Sequence, residues 1–315
     1  MQRVLFHYQA SRDLQQRLRS LAVEGLDVVA VAPEDRDGLM AEAPTVDVLW
    51  HVLEPVTAAL IERAPRLALI QKIGVGVNTI DLDAARARGI AVCNMPGTNS
   101  RAVAEMTLAL MLAALRRLPQ LDRATRAGRG WALPADDQAR YGEIGGRTVG
   151  LVGYGAVPAL LAPVLAAMGA RVLFASRSER PEAVGRRVPL TELLVESDIV
   201  SLHLPLAPET EGLIGAAELA AMRPGALLVN TARGGLVDEA ALVAALRNGR
   251  LGGAALDVFA HEPLPADHPL LALDNVVLAP HLAWLTAETL ERSLAVAIDN
   301  CRRLRQGEPL RHRVV

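Results

Sequence analysis

The chain has 315 residues, 51% of them apolar, and a formal net charge of −2 at pH 7. This length is sufficient for two domains of ordinary size, and the near-neutral charge argues against nucleic acid or an anionic membrane surface as a partner. Cys93 and Cys301 are the only cysteines, which fit neither a disulfide framework nor a metal cluster.

The sequence shows no sign of export or membrane insertion. The N-terminus, MQRVLFHYQA, lacks the long apolar core of a signal peptide. No apolar run reaches membrane-spanning length, because Glu105 and Arg116 bracket the best candidate helix. Together with the sparse cysteines, this predicts a cytoplasmic protein.

Over the first third of the chain, short apolar runs alternate with segments of helical periodicity. The predicted strands are Arg3–Phe6, Val28–Val31, Val46–Trp50, Leu67–Ile73 and Ala91–Cys93, and the predicted helices between them are Ser11–Ala22, Pro55–Arg63 and Leu82–Arg88. This alternation is typical of a parallel sheet covered on both faces.

A long helix follows, beginning near Ser100, and a second series of strands comes after it. The buried stripe of this helix is predicted to comprise Val103, Met106, Thr107, Leu110 and Met111. The later strands are predicted at Arg147–Val152, Arg171–Ala175, Ile199–Leu204, Ala226–Asn230, Gly253–Asp257 and Val276–Ala279, before a last helix at Ala287–Arg305. We therefore predict an α/β fold with two Rossmann-like, doubly wound parallel-sheet domains, the first flavodoxin-like and the second dinucleotide-binding. Residues 1–97 and 284–315 form the predicted substrate-binding domain, and residues 98–283 the dinucleotide-binding domain.

The segment from Gly150 to Arg177 has the layout of the first half of a dinucleotide-binding βαβ unit. Its loop, Gly153-Tyr154-Gly155-Ala156-Val157-Pro158, keeps two glycines of G-x-G-x-x-G and has proline in the third place. Gly153 permits the tight turn, and Gly155 lets backbone N–H groups approach a pyrophosphate. Pro158 is tolerable in the first helical turn, whereas Pro163, deeper in the helix, removes a hydrogen bond and is expected to distort it.

Ser176 and Arg177 stand at the end of the second strand of this unit, where an NAD site carries a carboxylate for the ribose 2′-hydroxyl. A hydroxyl and a guanidinium suit a 2′-phosphate instead. The sequence therefore predicts NADP(H) as the preferred cofactor, with NAD(H) possible. An ordinary solvated strand end is the alternative interpretation of this pair.

Three polar residues follow successive predicted strands: Arg233 in NTARGGLVD, Glu262 in LDVFAHEPLP and His281 in APHLAW. In an open parallel sheet, ligands bind beyond the carboxyl ends of the strands, so one crevice can hold all three side chains. Each residue alone has an ordinary structural interpretation, but together beside a nucleotide loop they indicate chemistry.

In this order and setting the motifs resemble the D-isomer-specific 2-hydroxyacid dehydrogenase family, and within it the NADP-preferring glyoxylate/hydroxypyruvate reductases. The resemblance covers nearly the whole chain and includes GVGVNTID at 74–81, NSRAVAE at 99–105 and LHLPL at 202–206 with Thr210. It implies reduction of a small 2-keto acid (glyoxylate, hydroxypyruvate or pyruvate) to the D-2-hydroxy acid. The alternatives are an NAD-dependent dehydrogenase of D-lactate or another D-2-hydroxyacid and, in a different class, a dinucleotide sensor without activity.

The resemblance also implies residue roles. Arg233 would bind the substrate carboxylate and polarise the keto oxygen, His281 would donate the proton, and Glu262 would be its partner. Substrate binding would involve the backbone N–H groups of Val75 and Gly76 besides Arg233, His281 and Trp284. The predicted cofactor-binding residues are Gly153, Tyr154, Gly155, Ala156, Val157, Ser176, Arg177, His203, Pro205, Thr210, Thr231, Ala232 and Asp257.

These roles make chemical sense, since a protonated imidazole suits protonation of an alkoxide near neutral pH, and a guanidinium binds a carboxylate with two hydrogen bonds.

Trp50 and Trp284 are candidates to narrow the pocket toward small 2-keto acids, although for Trp284 core packing is an equal alternative. Structural roles are favoured for His7, His203, His261 and His268 when each is considered by itself. The excess of apolar residues on the helix from Ser100, together with the resemblance, predicts a homodimer.

Overall fold

The computed structural model describes residues 1–132 and 140–315. By its internal contacts the chain divides into two compact units. The first unit comprises Met1–Asn99 and Thr286–Val315, and the second comprises Ser100–Leu285.

The strands are short and mostly buried along their whole length. In chain order they are β1 Gln2–His7, β2 Leu26–Val31, β3 Val48–His51, β4 Leu69–Lys72, β5 Ala91–Cys93, β6 Thr148–Val152, β7 Arg171–Ala175, β8 Arg186–Arg187, β9 Ile199–Leu202, β10 Leu227–Asn230, β11 Gly253–Leu256 and β12 Val276–Leu278. Most are runs of Val, Leu, Ile and Ala, as strands buried on both faces require.

The helices lie between these strands and follow the last one. They are α1 Arg12–Ser20, α2 Arg36–Glu42, α3 Ala58–Arg63, α4 Leu82–Ala87, α5 Ser100–Leu115, α6 Leu118–Arg126, α7 Ala156–Ala167, α8 Leu190–Glu196, α9 Ala216–Ala221, α10 Glu239–Arg247 and α11 Ala287–Gln306. Capping side chains fix several starts: Asp238 accepts from the N–H of Ala241 at α10, and Thr286 from that of Thr289 at α11.

In the first unit the described residues form a five-stranded parallel sheet in the order β2-β1-β3-β4-β5. This is the flavodoxin-like order. Helix α11 belongs to this unit, where the Asn300 amide donates to the Gln71 side chain at 2.6 Å. Trp50, at 0% exposure, lies in this core with its ring edge-to-face against Phe6 at 5.8 Å. The prediction that Trp50 faces a substrate pocket is therefore wrong, because β3 is buried on both faces.

In the second unit the described strands form a seven-stranded parallel sheet in the order β12-β11-β10-β9-β6-β7-β8. The reversal of strand order at β6 is the switch point of a Rossmann fold. Leu151 faces one apolar cluster, built with α5 and α7, whereas Val152 faces the other. This alternation shows that both faces of the sheet are covered. The predicted fold class is confirmed in both units.

Helix α5 begins at Ser100 as predicted but buries a different set of side chains. Thr107, Leu110, Met111 and Leu115 are buried, whereas Val103 and Met106 are only half-buried. The predicted stripe was therefore partly wrong. Small residues on the same helix, Ala102 and Ala104 among them, take the buried positions and allow close packing against the sheet.

Candidate active site

Three polar side chains lie at the carboxyl edge of the second unit's sheet. Arg233 follows β10, Asp257 follows β11 and His281 follows β12, and these strands are neighbours in the sheet. Glu262 lies on the segment after Asp257. The structure thus brings together the residues that the motifs singled out, at the edge where parallel sheets bind ligands.

His281 and Glu262 form a hydrogen-bonded pair. The distance from His281 Nδ1 to Glu262 Oε2 is 2.6 Å, and Glu262 Oε1 accepts the backbone N–H of Phe259 at 2.9 Å. Because a carboxylate only accepts hydrogen bonds, Nδ1 carries the proton and Nε2 remains for a reacting group. Burial alone would raise the pKa of Glu262, but the hydrogen bond and charge of His281, with Phe259 and Arg233, lower it below its usual value. The carboxylate therefore stays ionised beside the imidazole.

Asp257 fixes the turn that carries His281. His281 has φ of +56°, a conformation unusual for a residue with a side chain, and its N–H donates to the Asp257 carbonyl at 2.7 Å. The Asp257 carboxylate accepts the N–H groups of Leu282 and Ala283, each at 2.9 Å. The pKa of Asp257 is raised above its usual value, because the effect of burial exceeds that of these two hydrogen bonds, which lower it. Both carboxylate oxygens thus hold the backbone on which the imidazole is mounted.

Arg233 is a partly buried cation beside this pair. Its Nη1 donates to the Ala232 carbonyl at 2.6 Å. The Asn230 side-chain amide donates to the Arg233 backbone carbonyl at 2.9 Å. Within residues 1–132 and 140–315 the guanidinium forms no ion pair with a carboxylate at salt-bridge distance, and Glu262 acts on it only as a nearby charge. Burial lowers the pKa of Arg233, although that charge raises it. An anionic ligand would supply the negative charge that no described carboxylate places at ion-pair distance from Arg233.

Gly234 lets the Arg233 loop approach the segment that leads to Glu262. A Cβ added to Gly234 would lie 1.9 Å from the carbonyl carbon of Phe259.

Gly234→Ala should therefore lower the free energy of unfolding by about 1–3 kcal/mol, because the backbone must shift to relieve the overlap. Thermal unfolding measures this. Gly235→Ala is the matched control, since its Cβ would meet only the Leu206 side-chain end at 3.1 Å. Equal melting temperatures for the two variants would contradict the prediction.

The loop after β6 has the geometry of a phosphate cradle. Gly153 has φ of +96°, and a Cβ there would lie 2.7 Å from the His203 carbonyl oxygen, so only glycine fits. A Cβ at Gly155, the N-cap of α7, would meet nothing within 4 Å. The first N–H groups of α7, at Ala156 and Val157, have no helical partner. The open space over this helix start fits the pyrophosphate of a dinucleotide.

The Tyr154 side chain belongs to the core and not to this cradle. Its ring packs against Phe174 at 4.5 Å, and its hydroxyl accepts the Val184 N–H at 2.9 Å while donating to the Val184 carbonyl at 3.3 Å. Tyr154 could therefore contact a cofactor only through its backbone, because its side chain is engaged in the core. The side chain instead anchors the segment before β8.

The two prolines of α7 occupy tolerable positions. Pro158 is the third residue of the helix, where its N–H would have no partner. Helix α7 continues through Pro163 to Ala167. Pro163 and Ala159, whose carbonyl loses its helical donor, are both exposed, so water can satisfy that carbonyl.

A cavity of about 520 Å³ lies at the end of β7. Its lining residues are Val152, Ala175, Ser176, Arg177, Arg187, Val188, Pro189, Leu190, Leu204 and Leu213. Among the described lining residues, all are apolar except Ser176 and two arginines, and none carries a carboxylate. This composition suits the adenosine end of a nicotinamide dinucleotide.

Several other predicted cofactor residues have side chains engaged in internal bonds. The Thr231 hydroxyl lies 2.8 Å from that of Thr107, which itself donates to the Val103 carbonyl. Thr210 donates to the Pro205 carbonyl at 2.7 Å and so folds the loop after β9. His203 is bonded to the Ser201 hydroxyl, and burial lowers its pKa to about 3, so the ring is neutral. Their predicted contacts, and that of Ala232, remain proposals.

The predicted substrate residues outside the Arg233 cluster are placed as follows. Val75 (44% exposed) and Gly76 lie in the loop after β4, in the first unit. Their backbone N–H groups donate no hydrogen bond to the residues that the structure describes, while Asn94 holds the loop by donating to the Val75 carbonyl at 2.9 Å. Trp284 is 8% exposed, next to the turn of His281.

Sequence reasoning missed Arg187, which lines the cavity from β8. A strand of two residues carries no periodicity, so nothing in the local pattern marked it. The structure shows that Gly185 just before this strand has φ of +111°, and that a Cβ there would lie 2.7 Å from the Val172 carbonyl oxygen, but the sequence alone shows only a glycine. Among the described residues no group of three or more potential ligand side chains is placed to hold a metal ion, and no helix has the length and apolar character needed to cross a membrane.

Comparison with known proteins agrees with this geometry. Residues 108–283 match the sequence model of the D-isomer specific 2-hydroxyacid dehydrogenase NAD binding domain. The chain is 42% identical over 284 residues to a glyoxylate reductase of Aeropyrum pernix, covering 88% of this chain and 85% of that protein. It is 39% identical over 297 residues to a D-3-phosphoglycerate dehydrogenase of Archaeoglobus fulgidus, covering 92% of this chain but 55% of that one.

Solved structures agree as well. The TT0316 protein of Thermus thermophilus superposes with a TM-score of 0.89 at 38% identity, over 99% of this chain and 100% of the other. An acyclic imino acid reductase in complex with NADPH and D-Arg gives 0.84 at 28% identity, over 99% and 100%. The chain belongs to the D-isomer specific 2-hydroxyacid dehydrogenase family. The predicted class of enzyme, an NAD(P)-dependent dehydrogenase of 2-hydroxyacids, is confirmed.

Proposed function

We propose that the protein reduces a small 2-keto acid (glyoxylate, hydroxypyruvate or pyruvate) to the 2-hydroxy acid, which is the D-isomer where the product is chiral, with NADPH preferred over NADH. The observation that carries the proposal is the His281–Glu262 pair at 2.6 Å beside Arg233, a cation that has no carboxylate of its own among the described residues. The similarity to the Aeropyrum pernix glyoxylate reductase supports this substrate class.

The nicotinamide cofactor, when bound, supplies a hydride to the keto carbon. His281 then donates the proton from Nε2 to the substrate oxygen, because Nδ1 is committed to Glu262. Glu262 keeps the ring oriented and compensates the imidazolium charge. Arg233 binds the substrate carboxylate and stabilises the negative charge that develops on the neighbouring oxygen. Asp257 holds the turn of His281 in place. Val75 and Gly76 remain proposed donors to the carboxylate.

The preference for NADPH rests on the cavity after β7. Ser176 and Arg177 stand at the strand end, and none of the lining residues that the structure describes is a carboxylate that could accept a ribose 2′-hydroxyl. A 2′-phosphate would meet guanidinium groups there, whereas a 2′-hydroxyl would give them no anionic partner.

Absorbance at the nicotinamide band tests the proposal, with each of the three 2-keto acids and with NADPH and NADH in parallel. We expect kcat/KM to be higher with NADPH for at least one of the acids. Faster turnover with NADH would refute the cofactor preference and favour an NAD-dependent dehydrogenase of D-lactate or another D-2-hydroxyacid. Cofactor binding without turnover on any of the acids would refute the reductase and favour a dinucleotide sensor.

Glu262→Gln should shift the pH profile of reduction to lower pH. A neutral amide no longer stabilises the imidazolium, so the proton needed for reduction is lost at a lower pH. The shift is read from kcat/KM against pH. Glu209→Gln, an exposed carboxylate on the loop after β9, is the control and should leave the profile unchanged. An unmoved profile for Glu262→Gln would remove Glu262 from the mechanism.

We also propose that the protein is a homodimer. Helix α6 has no buried residue, Leu118 is 49% exposed and Trp131 is 90% exposed, which is costly for large apolar side chains in a monomer. Sedimentation equilibrium at micromolar concentration should give twice the chain mass of 33.5 kDa. A monomer at every concentration would contradict the dimer.

A further inference from the structure

We propose that Arg187 is a second guanidinium of the cofactor's 2′-phosphate site and determines cofactor choice together with Arg177. The inference rests on the proposed NADPH preference and adds a residue that neither the motif nor the family resemblance assigns. Arg187 comes from β8, a different strand from the one whose end carries Ser176 and Arg177.

The position of Arg187 is fixed by its own hydrogen bonds. Its Nε and Nη2 donate to the Ser176 carbonyl at 3.1 and 2.8 Å, and Nη2 also donates to the Arg177 carbonyl at 3.0 Å. The guanidinium therefore holds both peptide groups of the turn after β7. Its Nη1 makes no hydrogen bond within the part of the chain that the structure describes, and remains a donor for a ligand.

The strand that carries Arg187 is held on both sides of that residue. The Val188 N–H donates to the Phe174 carbonyl at 2.9 Å, in register with the pairing of Phe174 and Arg187. Two residues before β8, Val184 is clamped through both backbone groups by the Tyr154 hydroxyl. An arginine mounted on such a segment presents its charge at a defined place.

No carboxylate among the described residues forms a salt bridge with the arginines at this end of the cavity. Neither Arg177 nor Arg187 forms a salt bridge within residues 1–132 and 140–315, whereas Arg186, the neighbour of Arg187 on the same strand, pairs with Glu192 at 2.8 Å. The two guanidinium groups line one cavity that also has the apolar walls an adenine ring needs.

Ser176 cannot supply the missing donor in this arrangement. Its hydroxyl donates to the Ser178 carbonyl at 2.7 Å, so its one proton is used inside the turn. A phosphate group at neutral pH is mostly deprotonated, so it needs hydrogen-bond donors from the protein. Recognition of a 2′-phosphate thus falls on the two arginines.

Isothermal titration with two nucleotides that differ only in the 2′-phosphate tests this role without turnover. The probes are adenosine 2′,5′-bisphosphate and adenosine 5′-monophosphate. We expect Arg187→Ala to weaken binding of the bisphosphate about tenfold and that of the monophosphate less than twofold, since a charge-assisted hydrogen bond is lost. Arg187→Gln should behave like Arg187→Ala, and Arg187→Lys should recover part of the difference. Arg186→Ala, which removes the same charge one residue away, should change neither affinity.

The outcomes separate this inference from the proposed function. A wild-type protein that binds both probes equally would refute the NADPH preference itself and the role of Arg187 with it. A wild-type preference that survives Arg187→Ala and Arg187→Gln would refute the role of Arg187 alone. Equal weakening of both probes in these variants would also overturn it, because it would show that Arg187 only holds the turn.

Discussion

Replacing His281 with alanine should lower turnover by roughly 10²–10⁴-fold, the usual contribution of a positioned general acid. The imidazole is the group whose Nε2 is free to protonate the substrate oxygen while Nδ1 bonds to Glu262. Affinity for NADP⁺ should change little, because the nucleotide cavity lies at the end of β7, with Ser176, Arg177 and Arg187 in its lining and His281 outside it. Steady-state kinetics and direct titration of NADP⁺ measure the two effects separately.

His261→Ala is the matched control for this prediction. His261 is an exposed histidine one residue before Glu262, and its substitution should leave turnover near the wild-type value. If His281→Ala kept near-full turnover, the assignment of the proton donor would be wrong. Loss of NADP⁺ affinity in parallel with turnover would show that the residue supports the fold of the site and not the proton transfer.

Replacing Arg233 with alanine should lower kcat/KM by roughly 10²–10³-fold, with kcat reduced and KM raised. The guanidinium is proposed to bind the substrate carboxylate in the ground state and to stabilise the oxyanion in the transition state, so both constants change. Arg233→Lys should recover only a minor part, because an ammonium cannot make the paired hydrogen bonds.

Arg247→Ala provides the comparison for Arg233, since Arg247 is an exposed arginine in the last turn of α10. This variant should have wild-type kinetics. An Arg233→Ala protein with unchanged KM for the 2-keto acid would contradict the role of Arg233 in carboxylate binding.

The sheets and the position of the proposed catalytic residues were predictable from sequence. Buried parallel strands require continuous apolar runs, and the runs around Leu151 and Leu228 are visible without any structure. Because parallel strands end at one edge, residues that follow successive strands meet there. Arg233 and His281 could thus be placed together from their positions alone.

Other features depend on packing that the sequence does not display. The two-residue strand β8 is defined by its pairing with β7, so Arg187 could not be placed at the cavity in advance. Trp50 lies near the end of β3, where a side chain can face a pocket, but this strand is covered on both faces and buries Trp50 against Phe6. Thr231 sits in a motif associated with the cofactor, yet its hydroxyl bonds to Thr107 on α5. In each case the decisive neighbour is distant in the chain.

The glycine loop shows a third kind of limit. Proline stands in place of the third glycine, and the structure places Pro158 in the first helical turn, where no helical N–H is needed, as the sequence predicts. A Cβ at Gly153 would lie too close to the His203 carbonyl oxygen, whereas a Cβ at Gly155 would meet no described atom within 4 Å and would only occupy the space proposed for the pyrophosphate. The spacing of residues does not show which glycine of a motif is required.

The most direct test of the central claim is the identity of the product. Purified protein should be incubated with pyruvate or hydroxypyruvate and NADPH, and the hydroxy acid should be separated by chiral chromatography while NADPH oxidation is recorded. We predict the D-isomer alone, formed in a one-to-one ratio with the NADPH consumed. Formation of the L-isomer or a racemate, or oxidation of NADPH without any hydroxy acid, would contradict a D-specific 2-keto acid reductase.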